Sequence, residues 1–234
     1  MCSHYQAVKS RAQFERHFGL LPPTTPQPMD VWPGYASSFI RPHPHADAGD
    51  DAVSALEAAS GSFGLLPHWA KDRKLGRHTY NARCETVATK PSFRDAWARA
   101  QHCIIPADAI FEPDWRTGRA VATRIALANS APMGIAGLWS AWRSPQGEVL
   151  SFTMLTVNAD AHPLMRHFHK PEDEKRMVVV LPPEYFGQWL QATPSHSLDL
   201  LYACPAPELV AQAEAPTAGQ GAAQPGGAIQ AALF

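Results

Sequence analysis

Residues 102–115, HCIIPADAIFEPDW, form a short apolar run bounded by turn residues. Residues 132–142, PMGIAGLWSAW, and residues 148–159, EVLSFTMLTVNA, repeat this pattern. Such runs predict strands of one antiparallel or mixed sheet. Residues 177–190, MVVVLPPEYFGQWL, add a β-branched run followed by an amphipathic turn, which predicts a strand and then a helix. Because strands and helices interleave without a regular βαβ period, the sequence predicts an α+β fold.

Three segments outside these runs carry local structure signals. Residues 10–20 place Phe14, Phe18 and Leu21 on one helical face before Gly19, which predicts a short amphipathic helix. Residues 43–62 are polar and contain glycine, so we expect a loop with a helical turn. Pro91 is tolerated in a first helical turn and predicts a helix that extends to about His102.

Composition predicts one folded domain at residues 1–207 and a tail at residues 208–234. The 234 residues are 45% hydrophobic and 18% charged, which is typical of a globular protein. The tail is rich in Ala, Gly, Gln and Pro and has few residues to bury, so we expect it to be disordered. We find no membrane-spanning run and no signal peptide, which predicts a cytoplasmic protein without membrane partners.

The cysteines and histidines do not follow metal-binding spacings. Cys84, Cys103 and Cys204 lie far apart and are expected to be reduced. The histidines of HPLMRHFHK, residues 162–170, do not match HExxH, so we predict no metal site and no cofactor.

Cys2 directly follows Met1, and its removal would leave an α-amine and a thiol on adjacent carbons. Both groups are nucleophiles that are partly available near neutral pH. An early cysteine is also compatible with chance, so its meaning depends on the residues that accompany it.

Further reactive side chains occur in short apolar surroundings. Asn81 and Arg83 share one side if YNARCET is extended. Glu112 ends an apolar run beside Phe111, where a carboxyl group can transfer protons near neutral pH. Residues 71–99 form a basic stretch, which is either a solvated surface or a phosphate-binding face.

Six segments together resemble the SOS response-associated peptidase (SRAP) proteins, whose members crosslink to abasic sites in single-stranded DNA. The resemblance runs in order over most of the chain and implies a mixed, largely antiparallel, bifurcated sheet with a small barrel-like core surrounded by helices. The segments are MC at residues 1–2, GLLPHW at 64–69, NARCETVATKPSFRDAW at 81–97, CIIPADAIFE at 103–112, LTVNADAHPLMRHFH at 155–169 and RMVVVLPPE at 176–184.

The resemblance implies a role for each catalytic residue. Cys2 becomes the nucleophile after autoproteolytic removal of Met1 and forms a thiazolidine with the opened sugar. Asn81 orients its amine, Glu112 is the acid/base, and His169 is a second proton-transfer group. The expected setting is the DNA damage (SOS) response, with a nucleoid-associated monomer that binds single-stranded DNA.

We assign DNA contacts to six residues, partly from the resemblance and partly from the basic stretch. An arginine that contacts phosphate, an aromatic residue that stacks on bases and a threonine that lines the pocket follow from the resemblance. The six are Arg83, Trp69, Thr156, His4, Arg77 and Lys74.

The chain departs from the family pattern at several positions. Ser3 and His4 stand where the family has a glycine and an arginine, and Phe63 stands where a tryptophan is frequent. Pro and Asp at residues 113–114 replace the usual tryptophan after Glu112, and KPEDEK at residues 170–175 is an insertion.

Two alternative functions use only some of these residues. An N-terminal-nucleophile cysteine amidase or peptidase would pair Cys2 with His169 on a substrate other than DNA. A non-catalytic single-strand binding module would bind DNA fully without Cys2. Neither alternative gives a role to both the reactive residues and the basic stretch.

Overall fold

The computed structural model describes residues 2–46, 54–144 and 146–214. Within these residues, one 12-stranded sheet contains every strand. The strands are β1 (Tyr5–Ala7), β2 (Asp30–Val31), β3 (Ala36–Pro42), β4 (Leu56–Phe63), β5 (Asn81–Arg83), β6 (His102–Asp114), β7 (Val121–Leu127), β8 (Met133–Ser144), β9 (Gly147–Asn158), β10 (Arg176–Val178), β11 (Val180–Leu181) and β12 (Leu209–Ala213).

Short helices lie around this sheet. The α-helices are α1 (Arg11–Phe18), α2 (Arg94–Ala98), α3 (Phe186–Gln191) and α4 (Pro194–Ser197). Short 3-10 helices occupy Arg73–His78, Met165–His167, Pro183–Tyr185, Leu198–Leu200 and Ala206–Glu208. Among the described residues the longest α-helix has 8 residues, and no helix there has both the length and the apolar character needed to cross a bilayer.

Five strands close into a barrel. Pairing runs from β6 to β8, β9, β4 and β3, and β3 returns to β6. Most pairs are antiparallel, whereas β4 and β5 both pair with β9 in parallel. The predicted α+β fold, with a mixed and largely antiparallel sheet around a small barrel, is confirmed.

The sheet divides along β6. The first half of this strand, from His102 to Ala107, pairs with β8, and the second half, from Ile110 to Asp114, pairs with β7. β1 also pairs with the second half of β6. As a result, the segment that precedes β1 lies against the end of β6 that carries Glu112.

The predicted N-terminal helix is present as α1. The Ser10 hydroxyl accepts a hydrogen bond from the Gln13 amide at 3.2 Å and caps the helix start, and Gly19 ends it with φ +73°. Phe14 and Phe18 are buried as predicted, but Leu21 follows the helix and is exposed.

Two local predictions are wrong. Residues 56–63 form β4 instead of a loop, because pairing with β3 and β9 outweighs the low strand propensity of Ala, Ser and Gly. The rest of that predicted loop includes residues 47–53, which lie outside the described residues. The predicted helix at residues 91–102 is only α2, since Ala100 has φ +50° and His102 already begins β6.

The predicted domain boundary at residue 207 falls before the last strand. β12 pairs with β7 over five residues, from Leu209 against Leu127 to Ala213 against Thr123. The predicted disordered tail beyond residue 214 lies outside the described residues.

Aromatic packing joins the strands that carry the reactive residues. Phe63 at the end of β4 packs edge-on against Tyr5 of β1, with ring centroids 5.3 Å apart, and lies 5.8 Å from Tyr80, which precedes β5. Phe152 of β9 stacks on Phe63 at 5.5 Å. This cluster brings together the start of β1 and the start of β5, and Phe63 fills the core position where the family frequently has a tryptophan.

Candidate active site

Cys2 lies buried at the start of the described chain and is held there by Asn81. The Asn81 side-chain amide donates a hydrogen bond to the Cys2 carbonyl oxygen at 2.7 Å. The Cys2 thiol donates to the His4 carbonyl oxygen at 3.3 Å. Because β5 pairs with the central strand β9, Asn81 is rigidly placed and fixes the backbone of Cys2.

Glu112 and His169 form a buried pair. The His169 Nε2 atom lies 2.9 Å from Glu112 Oε2, and both side chains are almost completely buried. The His169 amide donates to the Pro113 carbonyl oxygen at 3.1 Å, which ties the histidine loop to the end of β6. His169 has φ +64°, a left-handed conformation that costs about 1 kcal/mol or more in a non-glycine residue.

The Cys2 thiol shares the electrostatic environment of Glu112. Burial raises the pKa of the Cys2 thiol, and the negative charge of Glu112 raises it further. Burial also raises the pKa of Tyr80, with smaller contributions from Cys2 and Glu112. These couplings place Cys2, Glu112 and Tyr80 around one pocket, in which the thiol keeps its proton at neutral pH.

The four predicted catalytic residues therefore converge. Asn81 bonds to Cys2, the charge of Glu112 reaches the Cys2 thiol, and His169 pairs with Glu112. The arrangement combines a nucleophile with a carboxyl–imidazole pair that can exchange protons in a dry pocket.

A charged network borders this pocket. Arg83 is exposed and its Nη1 atom lies 2.7 Å from Glu174 Oε2. Arg176 is buried and pairs with Glu174 and Glu85, each at 2.8 Å. The hydrogen bond from Arg176 holds the pKa of Glu174 below its ordinary value, so Glu174 stays ionised. A cavity of ≈ 270 Å³ is lined by Arg83, His169, Asp173, Glu174 and Arg176.

Thr156 belongs to the wall behind this network. Its side chain is fully buried, and its hydroxyl donates to the Ala82 carbonyl oxygen at 3.4 Å. Its own carbonyl oxygen accepts from Arg176 Nη2 at 2.6 Å. Thr156 therefore positions Arg176 instead of presenting its side chain to solvent.

Trp69, Lys74 and Arg77 lie on the segment that leads to β5. Trp69 is 45% exposed and donates from Nε1 to the Pro91 carbonyl oxygen at 3.4 Å. Trp69 and Lys74 line one cavity of ≈ 340 Å³. Arg77 is exposed on the same 3-10 helix but does not line that cavity.

His4 is enclosed by two aromatic rings. Its imidazole stacks on Trp32 and on Phe111, with centroids 4.1 Å apart in both cases. Its Nε2 atom lies 2.9 Å from Asp30 Oδ1. The structure thus places the predicted DNA-contacting His4 beside the pocket, but its Nε2 is directed at a carboxylate.

Sequence reasoning missed Tyr80, Trp32, Glu174 and Arg176. Tyr80 directly precedes the recognised Asn81, and Glu174 lies in the inserted KPEDEK segment, so both had a nearby signal. Trp32 and Arg176 had none, because only the folded chain brings them to the pocket. In the described part of the chain, no group of three or more His, Cys, Asp or Glu side chains could hold a metal ion.

Comparison with known proteins gives consistent relatives. The family model "SOS response associated peptidase (SRAP)" matches residues 1–215. The abasic site processing protein YoqW of Bacillus subtilis is 37% identical over 131 residues, which cover 55% of this chain and 54% of that protein. The mouse abasic site processing protein HMCES is 24% identical over 146 residues, which cover 49% of this chain and 39% of that protein. The chain thus spans about half the length, or less, of these curated relatives.

Solved structures match over nearly the whole chain. A crystal structure of a Bordetella bronchiseptica protein has 46% identity and a TM-score of 0.81, covering 92% of this chain and 100% of that chain. A Bacteroides thetaiotaomicron protein has 19% identity and a TM-score of 0.75, covering 92% of this chain and 93% of that chain. The second likeness concerns the fold alone.

Proposed function

The chain belongs to the SOS response associated peptidase (SRAP) family, and from this premise we propose that it forms a covalent crosslink through Cys2 to abasic sites in single-stranded DNA. The observation that carries the proposal is the convergence of Cys2, Asn81, Glu112 and His169 in one buried pocket. Relatives named abasic site processing proteins support the choice of substrate.

The first step is hydrolysis of the peptide bond between Met1 and Cys2. One water is consumed, methionine leaves, and Cys2 gains a free α-amine. In this step Cys2 attacks, while Glu112 and His169 move the protons. Processing is obligatory, because an amide nitrogen has a delocalised lone pair and forms no Schiff base.

The second step joins the amine to the sugar. The ring-opened abasic deoxyribose presents an aldehyde carbon, to which the Cys2 amine adds before water is lost. That loss leaves a Schiff base and needs a proton on the departing oxygen, which Glu112 supplies. Asn81 holds the Cys2 carbonyl oxygen at 2.7 Å and so keeps the amine at a constant position.

The third step closes a five-membered thiazolidine. The Cys2 sulfur bonds to the former aldehyde carbon, and the thiol proton is replaced by one on the nitrogen. Because burial and Glu112 raise the pKa of this thiol, the sulfur reacts only as its proton is removed, so the amine reacts first. Ring closure is intramolecular and benefits from a high effective concentration.

DNA binding is independent of sequence in this proposal. Arg83, Lys74 and Arg77 contact phosphates and make binding dependent on salt, whereas Trp69 stacks on bases. An abasic position stacks poorly and is easily distorted, which favours entry of its aldehyde into the pocket.

The amidase alternative is less compatible with the geometry. A cysteine–histidine hydrolase needs an imidazole that activates the thiol, but His169 Nε2 pairs with Glu112 and the Cys2 thiol pKa is raised. The same experiment separates both functions, since an amidase would turn over its substrate without any DNA adduct.

Intact-mass measurement tests the proposal. The protein is incubated with a single-stranded oligonucleotide that carries one abasic site. We expect loss of Met1 and an increment equal to the DNA minus one water, absent in Cys2→Ala and present in the control Cys84→Ala. Wild-type protein that binds the oligonucleotide and keeps its unmodified mass would overturn the proposal.

A further inference from the structure

Three aromatic rings form a parallel stack at the edge of the pocket. The His4 imidazole lies between Trp32 and Phe111, at centroid distances of 4.1 Å on each side and interplanar angles of 10° and 12°. Phe111 is buried at the inner end, whereas Trp32 at the outer end is 43% exposed. The stack therefore ends in an indole ring that lies partly open to solvent.

The stack is held in place by its surroundings. β1 pairs with β2, with Gln6 opposite Asp30, so His4 and Trp32 flank neighbouring positions of one ladder. His4 Nε2 donates to Asp30 Oδ1 at 2.9 Å, and the Phe111 amide donates to the His4 carbonyl oxygen at 3.0 Å. Trp32 thus rests on a preformed support and loses little freedom when a ligand packs on it.

The stack also adjoins the reacting residues. His4 is two residues from Cys2, and its carbonyl oxygen accepts from the Cys2 thiol. Phe111 directly precedes Glu112 on β6. A strand of DNA whose sugar reaches Cys2 therefore passes this group of rings with its next nucleotides.

We infer that the open face of Trp32 is a stacking site for the nucleobase that flanks the abasic position; the inference rests on the proposed function. A base next to an abasic position has lost its stacking neighbour on one side, and an indole face can replace it. Base–aromatic stacking accepts every base, which agrees with recognition that is independent of sequence.

The charge at this place favours a base over a phosphate. Asp30 is mostly exposed beside His4 and already accepts the His4 Nε2 hydrogen, so this side chain offers no free donor at Nε2. A carboxylate repels phosphate but does not prevent ring stacking. The role of His4 here is to support Trp32.

A cycle between protein and DNA tests the inference. Oligonucleotides carry an unreactive tetrahydrofuran spacer at the abasic position, and the flanking nucleotide is adenine, thymine or a second spacer without a base. Kd is measured by fluorescence anisotropy for wild type, Trp32→Ala and Trp32→Phe. Tyr35→Ala is the matched control, because Tyr35 is exposed on the same turn but stacks on no ring of the described residues.

We expect Trp32→Ala to raise Kd by about 5- to 100-fold when a flanking base is present. With the second spacer, wild type and Trp32→Ala should bind equally, and Trp32→Phe should keep most of the preference for a flanking base. Tyr35→Ala should keep that preference as well. A preference for the flanking base that persists in Trp32→Ala, or that Tyr35→Ala abolishes equally, would overturn the inference.

The two proposals fail separately. The same proteins are incubated with an oligonucleotide that carries a true abasic site, and the adduct is measured by mass. Crosslinking without dependence on Trp32 rejects only the stacking site. Flanking-base dependence without any adduct rejects only the crosslinking chemistry.

Discussion

Arg83 Nη1 lies 2.7 Å from Glu174 Oε2, so the arginine proposed to contact phosphate is already paired with a carboxylate. Glu174 belongs to the inserted segment at residues 170–175 and stays ionised beside Arg176. A phosphate must therefore displace Glu174 to reach Arg83. The insertion lowers the affinity for DNA in this interpretation.

Glu174→Gln should strengthen binding of single-stranded DNA. An exposed ion pair contributes about 0–1 kcal/mol, so we expect Kd to fall by up to about 5-fold at low salt. Glu172→Gln removes the same charge from the same segment without an ion pair to Arg83 and should have a smaller effect. Anisotropy titrations over a series of salt concentrations measure this, and equal effects of the two variants would contradict it.

Asn81→Ala should slow crosslinking. The 2.7 Å hydrogen bond to the Cys2 carbonyl oxygen is lost, and a buried bond of this kind contributes about 1–3 kcal/mol, which corresponds to about 5- to 150-fold in rate. Asn81→Asp should be at least as slow, since a carboxylate cannot donate this bond. Single-turnover adduct formation is the measurement, with the exposed Asn129→Ala as the control expected to react at the wild-type rate.

Glu112→Gln should remove proton transfer while DNA binding is retained. General acid–base catalysis contributes about 10²–10⁴-fold, and we expect adduct formation to slow by that range. The exposed Glu148→Gln is the control for loss of one carboxylate. An unchanged rate at saturating DNA would exclude Glu112 from the chemistry.

The Cys2 thiol should resist alkylation near neutral pH. Burial and the charge of Glu112 raise its pKa, so the thiol stays protonated at pH values where a free cysteine begins to ionise. Glu112→Gln removes the second cause, and iodoacetamide should then label Cys2 faster, although still more slowly than free cysteine. Peptide mass mapping measures this, with Cys84, whose pKa is raised to about 12, as the internal reference.

The sign of the linkage to stability follows from the same shift. A folded-state thiol with a raised pKa stabilises the protein below its unfolded value of about 8.5, and this contribution is lost as the pH rises above that value. The free energy of unfolding should therefore decrease in alkaline solution, and the decrease should be smaller in Cys2→Ala. Urea titrations at a series of pH values test this, and an identical decrease in both proteins would contradict it.

Gly64→Ala should destabilise the fold. Gly64 has φ +117°, and a Cβ there would overlap the backbone of Gly76, which begins the approach to Tyr80 and Asn81. We expect a loss of about 2–4 kcal/mol in the free energy of unfolding. Gly187→Ala is the control, because a Cβ there meets nothing within 4 Å and should stabilise α3 by about 0.5–1 kcal/mol.

Local signals in the sequence predicted those elements that depend on neighbouring residues. α1 was recognised from Ser10, Gly19 and the spacing of Phe14 and Phe18, all of which act within a few turns of the chain. β4 was missed, because its Ala, Ser and Gly residues have no local strand signal and become a strand only by pairing with β3 and β9. Its register depends on partners distant in sequence, which no local pattern encodes.

The sequence by itself determined the reactive groups, the α+β class and the family, since short motifs preserve the residue types that the chemistry needs. Only the tertiary structure decided that Asn81 holds Cys2, that Glu174 pairs with Arg83, and that Trp32 reaches the pocket through His4. The physical reason is that hydrogen bonds, ion pairs and ring stacking act over a few ångströms. Residues separated by tens of positions reach those distances only when the barrel closes.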